Sequence, residues 1–122
     1  MGRTIAGVVA GVVAWFVVVL GVAFVLRAVA PAVNAQLVAH ATAMAMAERL
    51  GISFLGSLVG GALAARIASG RAAMISGVLL LAWWGYYHVM VIWHQFPLWY
   101  HLTFFVSLML LPIAGARLAG RR

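Results

Sequence analysis

Four histidines and one glutamate are the side chains with ligating or proton-exchanging chemistry in this 122-residue chain: His40, His88, His94, His101 and Glu48, the last beside Arg49. A neutral imidazole carries a lone pair and an N–H on one ring, so it can ligate a metal, pass a proton or bridge two polar groups. His88 stands between Tyr87 and Val89 within an apolar run, and His101 lies beyond the segment Trp93-His94-Gln95-Phe96-Pro97-Leu98-Trp99-Tyr100. Short connections join antiparallel neighbours. The two imidazoles therefore lie at similar depth on either side of a turn, and we expect both to reach one cavity. His94 in the turn and Glu48 or Arg49 at the rim complete this polar cluster. His88, His101 and Glu48 are also the candidates for a metal, and two histidines can hold a haem iron. No ligand-spacing motif supports either, and His88 and His94 are six apart, on different faces of a helix. The favoured reading is a hydrogen-bond network with Tyr87, Ser107 or water, with no metal and no cofactor.

Catalysis has little to work with. The chain has no Cys, Asp or Lys, which removes thiolate nucleophiles, P-loop lysines and paired aspartates. The only carboxylate cannot form a pair, and no positioned nucleophile accompanies a His–Glu dyad. We expect a protein that is not an enzyme.

The elements that would position this cluster follow from composition. The chain is 67% hydrophobic and 7% charged, against about 45–50% and about 25% in soluble domains. A globule this small cannot bury that much apolar surface, so the solvent must be a lipid bilayer. A crossing helix needs about 20 apolar residues. Four runs qualify: Thr4–Leu26, Leu50–Arg66, Ala72–Trp93 and Leu98–Ala116. The fold class is all-α, a single transmembrane domain over residues 1–122 built as a four-helix bundle with short loops. The Ala-rich segment Pro31–Arg49 is expected as a helix on the outer surface between the first two spans, with Glu48 and Arg49 near the interface. Pro112 interrupts the last turns of the fourth helix. The first run is longer than the apolar core of a secretory signal and is read as a span.

All eight basic residues are arginines, giving a net charge of +7. They are scattered at the edges of the apolar runs, which argues against nucleic acid as a partner. Arg3, Arg66, Arg71, Arg117, Arg121 and Arg122 fall on one side; Arg27 and Arg49, opposed by Glu48, fall on the other. The positive-inside rule then places both termini in the cytoplasm.

Two further patterns concern contacts. Gly7 and Gly11 in the first helix, and Gly56 and Gly60 in the second, each lie four apart and form small-residue grooves that allow close helix approach in lipid. Packing of the first helix on the second is the favoured use, with self-association the alternative. Ten of the fourteen aromatic residues lie between Trp83 and Phe105. They suit an aromatic belt at the membrane surface, or else the wall of a hydrophobic cleft.

The run Phe96-Pro97-Leu98-Trp99-Tyr100-His101-Leu102-Thr103-Phe104, with Ala116-Arg117-Leu118 after it, resembles the C-terminal half of small four-span bacterial proteins of uncharacterised function. The opening Thr4-Ile5-Ala6-Gly7-Val8-Val9-Ala10-Gly11 is similar too. The resemblance implies a bacterial inner (cytoplasmic) membrane location and no particular activity. The leading expectation is a non-enzymatic integral membrane protein, either a packing or accessory subunit of a membrane-protein partner or a homo-oligomer. A small transporter or ligand-binding bundle, with its site at the outer ends of helices two to four, is the alternative, and a His-ligated metal or haem site is third.

Overall fold

The computed structural model describes residues 1–33 and 42–120. Among these the chain forms four long apolar helices: α1 (Gly2–Val29), α2 (Ala43–Ile67), α3 (Gly70–Tyr87) and α4 (Leu98–Gly120). A π-helical turn (His88–Ile92) and a 3-10 turn (Trp93–Gln95) extend α3. At 1.5 Å per residue, α2 is about 37 Å long and α4 about 34 Å, each sufficient to cross about 30 Å of hydrocarbon.

The starts of α2 and α3 are set by local chemistry. Thr42 Oγ1 accepts the Ala45 backbone N–H at 3.2 Å, and Ser69 Oγ accepts that of Ala72 at 3.4 Å. Such caps satisfy donors that a helix N-terminus otherwise leaves unmet. The Thr42 cap moves the start of α2 seven residues ahead of the expected Leu50. Residues 43–49, expected on the outer surface, are the first two turns of α2 and include Glu48 and Arg49. Residues 34–41, the rest of that Ala-rich segment with His40, lie outside the described residues. The fourth helix likewise runs past its expected end at Ala116 to Gly120, with buried Pro112 inside it.

The helices pack antiparallel. In their closed circuit α2 touches α1 and α4, and α3 touches the same two; α2 and α3 also meet across the middle. One end of the bundle carries the N-terminus, the Ile67–Gly70 turn and the end of α4. There Arg3 Nη2 donates to the Ile67 carbonyl at 3.3 Å. The core at this terminal end is built from Ala64, Ala72, Ala73 and Ala116. At the distal end it is built from Trp15, Met46, Leu50, Leu80, Tyr100, Phe104 and Leu108.

Side-chain size therefore grades along the bundle axis. A Cβ on Gly60 would stand 2.6 Å from the Gly11 carbonyl oxygen, and one on Gly7 2.7 Å from the Ala68 Cβ. A Cβ on Gly56 would meet the Trp15 ring at 3.1 Å. Still closer approaches occur where Gly61 faces the Pro112 backbone and Gly115 faces the Leu58 carbonyl, so α2 and α4 touch backbone to backbone. Small residues let dispersion act between backbones, the main attraction available in lipid. Large rings fill the distal end.

Candidate functional site

The distal end holds a cavity of about 310 Å³ that is partly open to the bundle surface. Each helix contributes residues spaced about one turn apart, so each presents one face to it. Trp15, Val19 and Ala23 come from α1, Arg49, Ile52 and Ser53 from α2, Trp84, Tyr87 and His88 from α3, and Tyr100 and Phe104 from α4. Ile92 of the π turn closes the set. Tyr87 lines the cavity while 40% exposed, so the cavity meets the bundle surface there. The wall is largely apolar.

His88 and His101 are brought together. Their Nδ1 atoms are 2.8 Å apart, and the residues are 3% and 0% exposed. The Nε2 of His101 is 3.2 Å from the Trp93 carbonyl oxygen in the 3-10 turn. A carbonyl only accepts, so His101 Nε2 carries a proton. With both rings neutral, His101 Nδ1 is then the acceptor and His88 Nδ1 the donor. The hydrogen-bond network thus assigns the tautomers, and His88 keeps a bare Nε2. Rings clamp the pair: Trp93 stacks on His101 at 4.7 Å, and Phe104 stacks on His88 at 4.4 Å between centroids. Both Nδ1 atoms face each other at hydrogen-bonding distance, whereas tetrahedral ligation at about 2.0–2.1 Å from each nitrogen would set them about 3.3 Å apart. Among the described residues, no group of three or more His, Cys, Asp or Glu side chains is placed to hold a metal ion.

The π turn sits where His88 does, and such turns recur at functional sites. The His88 backbone N–H is shared between the Trp84 and Gly85 carbonyls at the junction with the π turn. The wider turn keeps His88 and Ile92 buried together while Val89, Met90 and Val91 stay exposed.

The remaining members of the expected cluster separate. Arg49 lines the cavity, its guanidinium carbon 5.1 Å from the Phe96 ring centroid and near enough to bond the Tyr100 hydroxyl. Glu48 is one residue back, about 100° round the helix, and is not on the cavity wall. Its Oε2 is buried without a hydrogen-bond partner among the described residues. His94 is exposed in the 3-10 turn.

Two cavity residues were not among the sequence candidates. Ser53 Oγ and Trp84 Nε1 are buried, with no hydrogen-bond partner among the described residues. By contrast Trp15 Nε1 donates to Ser57 Oγ at 3.2 Å, and Ser107 Oγ to the Phe104 carbonyl at 2.7 Å. No sequence signal separates Ser53 from Ser57 or Trp84 from Trp15; each difference lies in what faces the side chain. The aromatic-rich stretch also divides. Trp83 and Tyr86 are 69% and 70% exposed, whereas Trp84, Tyr100 and Phe104 face inward.

No family model matches the chain, and no curated protein or solved structure matches it either. Its class rests on its own architecture: an all-helical bundle of four apolar helices, each long enough to cross a bilayer, the pattern of a multi-pass membrane protein.

Proposed function

We propose that this protein is a non-enzymatic, multi-pass protein of the bacterial inner membrane that holds a small apolar molecule, taken from the bilayer, in its distal cavity. The observation that supports this reading is a largely apolar cavity lined by His88, whose Nε2 the hydrogen-bond network leaves without a proton. A buried polar group left unmet costs about 1–3 kcal/mol, so an occupant that donates to it recovers that loss. The cavity is about 310 Å³, near the lower end of ligand sites at about 300–1,000 Å³. Binding without turnover is favoured because, among the described residues, no base is bonded to a hydroxyl that lines the cavity. Kinship with small four-span bacterial membrane proteins belongs to the same proposal, and so does a cytoplasmic placement of both termini.

The test is native mass spectrometry of the full chain released from detergent, beside an Ile52→Trp variant that fills the cavity. The wild-type chain should retain an adduct that Ile52→Trp loses while melting at a similar temperature. An identical adduct pattern in the two proteins, or none in either, would remove the ligand-binding reading.

A second reading, an accessory subunit, is favoured by α1. Its buried residues are Gly7, Gly11 and Trp15, all in its first half. The second half, from Phe16 onward, retains a broad apolar surface that a partner helix would cover. The same spectra report it as a dimer or as a co-purified chain.

A further inference from the structure

We infer that the occupant of the distal cavity is a hydroxyl-bearing apolar molecule, an alcohol or phenol, whose O–H donates to His88 Nε2. This rests on the ligand-binding reading above and names the chemistry of that site. The chain of hydrogen bonds from the turn determines it. The Trp93 carbonyl fixes the proton on His101 Nε2, at 3.2 Å. His101 Nδ1 must then accept from His88 Nδ1, at 2.8 Å. What remains on His88 is a lone pair at Nε2, on the ring edge away from His101. His88 lines the cavity and His101 does not, so the cavity is offered an acceptor.

A bare imidazole nitrogen calls for a donor, and on an apolar ligand a hydroxyl is the simplest uncharged one. An ether, a ketone or an ester has no proton to give and leaves His88 bare. Arg49, already against the Phe96 ring and the Tyr100 hydroxyl, does not call for an anionic ligand. The Phe104 ring, stacked on His88 at 4.4 Å, and the Trp15 and Tyr100 rings make the rest of the wall suited to a flat ring. The cavity is about 310 Å³, about twice a cavity of about 150 Å³ that holds benzene, which matches two fused rings.

The experiment uses the full chain in lipid nanodiscs, with histidine nitrogens labelled, titrated with 1-naphthol and separately with its methyl ether. Empty nanodiscs correct for partitioning. Before ligand, nitrogen NMR should show His101 protonated at Nε2 and His88 protonated at Nδ1. Naphthol should then shift the His88 Nε2 resonance saturably, and the methyl ether should bind at least about tenfold more weakly for want of the donor. Equal binding of the two probes, or a protonated His88 Nε2 in the unliganded protein, overturns the hydroxyl assignment and leaves the cavity as a binding site. Failure of both probes to bind saturably overturns both readings.

Discussion

Removing either imidazole of the buried pair leaves the other's Nδ1 facing a side chain that cannot bond to it. His88→Phe keeps a ring of similar breadth against Phe104 but orphans the His101 Nδ1 acceptor. His101→Phe orphans the His88 donor and also removes the bond to the Trp93 carbonyl. Each unmet group costs about 1–3 kcal/mol, so thermal melts in detergent should rank His101→Phe as the more damaging change. The double variant should cost less than the two single changes added, with a coupling of about 0.5–3 kcal/mol, because replacing both partners leaves no bare nitrogen. Additive losses would mean that the contact contributes little. The depth that the two histidines share was legible in their spacing about Pro97. Their protonation pattern was not, because it depends on a carbonyl at the end of α3.

At the scale of the helix, glycines with the same local sequence character do different work. Gly61 faces the Pro112 backbone, whereas a Cβ on Gly85 would meet nothing within 4 Å. Gly61→Ala should therefore destabilise by about 1–3 kcal/mol through overpacking. Gly85→Ala, in open space within a helix, should stabilise by about 0.5–1 kcal/mol. Denaturant-induced unfolding of the two variants, side by side, checks the opposite signs. Gly7, Gly11, Gly56 and Gly60 stood out in the sequence as spaced pairs, and all four are buried. Gly61 stood out with Ser53 and Ser57 as a second row at steps of four, whereas Gly77 and Gly115 did not, although a Cβ on Gly77 would stand 2.5 Å from the Leu108 carbonyl oxygen. They belong to the α4 contacts, where one partner is a proline-bearing helix without a glycine pair of that spacing. The Thr42 cap was overlooked in the same way, since a lone threonine before an alanine run signals a helix start only when its hydroxyl is seen to accept.

For the whole molecule, charge and packing grade along the same axis. Arg3, Arg66, Arg71 and Arg117 gather at the end where alanines and glycines draw the helices together. The rings, the cavity and the histidine pair occupy the other end. If the arginine-rich end is cytoplasmic, reporter fusions that are active only outside the cytoplasm should be active near Gln95 and inactive at Arg122. Activity at Arg122 would invert the orientation. The cavity would then open toward the cytoplasmic leaflet instead of the outer one.

Composition and run length alone pointed to the lipid solvent, the number of long apolar helices and the lack of a second carboxylate, because hydropathy and residue inventory are local properties that survive any packing. Tertiary structure alone decided how each helix is rotated. In lipid both faces of a helix are apolar, so the period that marks a buried face in a soluble protein carries little contrast. Rotation is set instead by which small residues meet, as Gly11 meets Gly60 and Gly61 meets Pro112. That rotation turns Ser53 and Trp84 toward the cavity, takes Glu48 off its wall and sets His88 against His101.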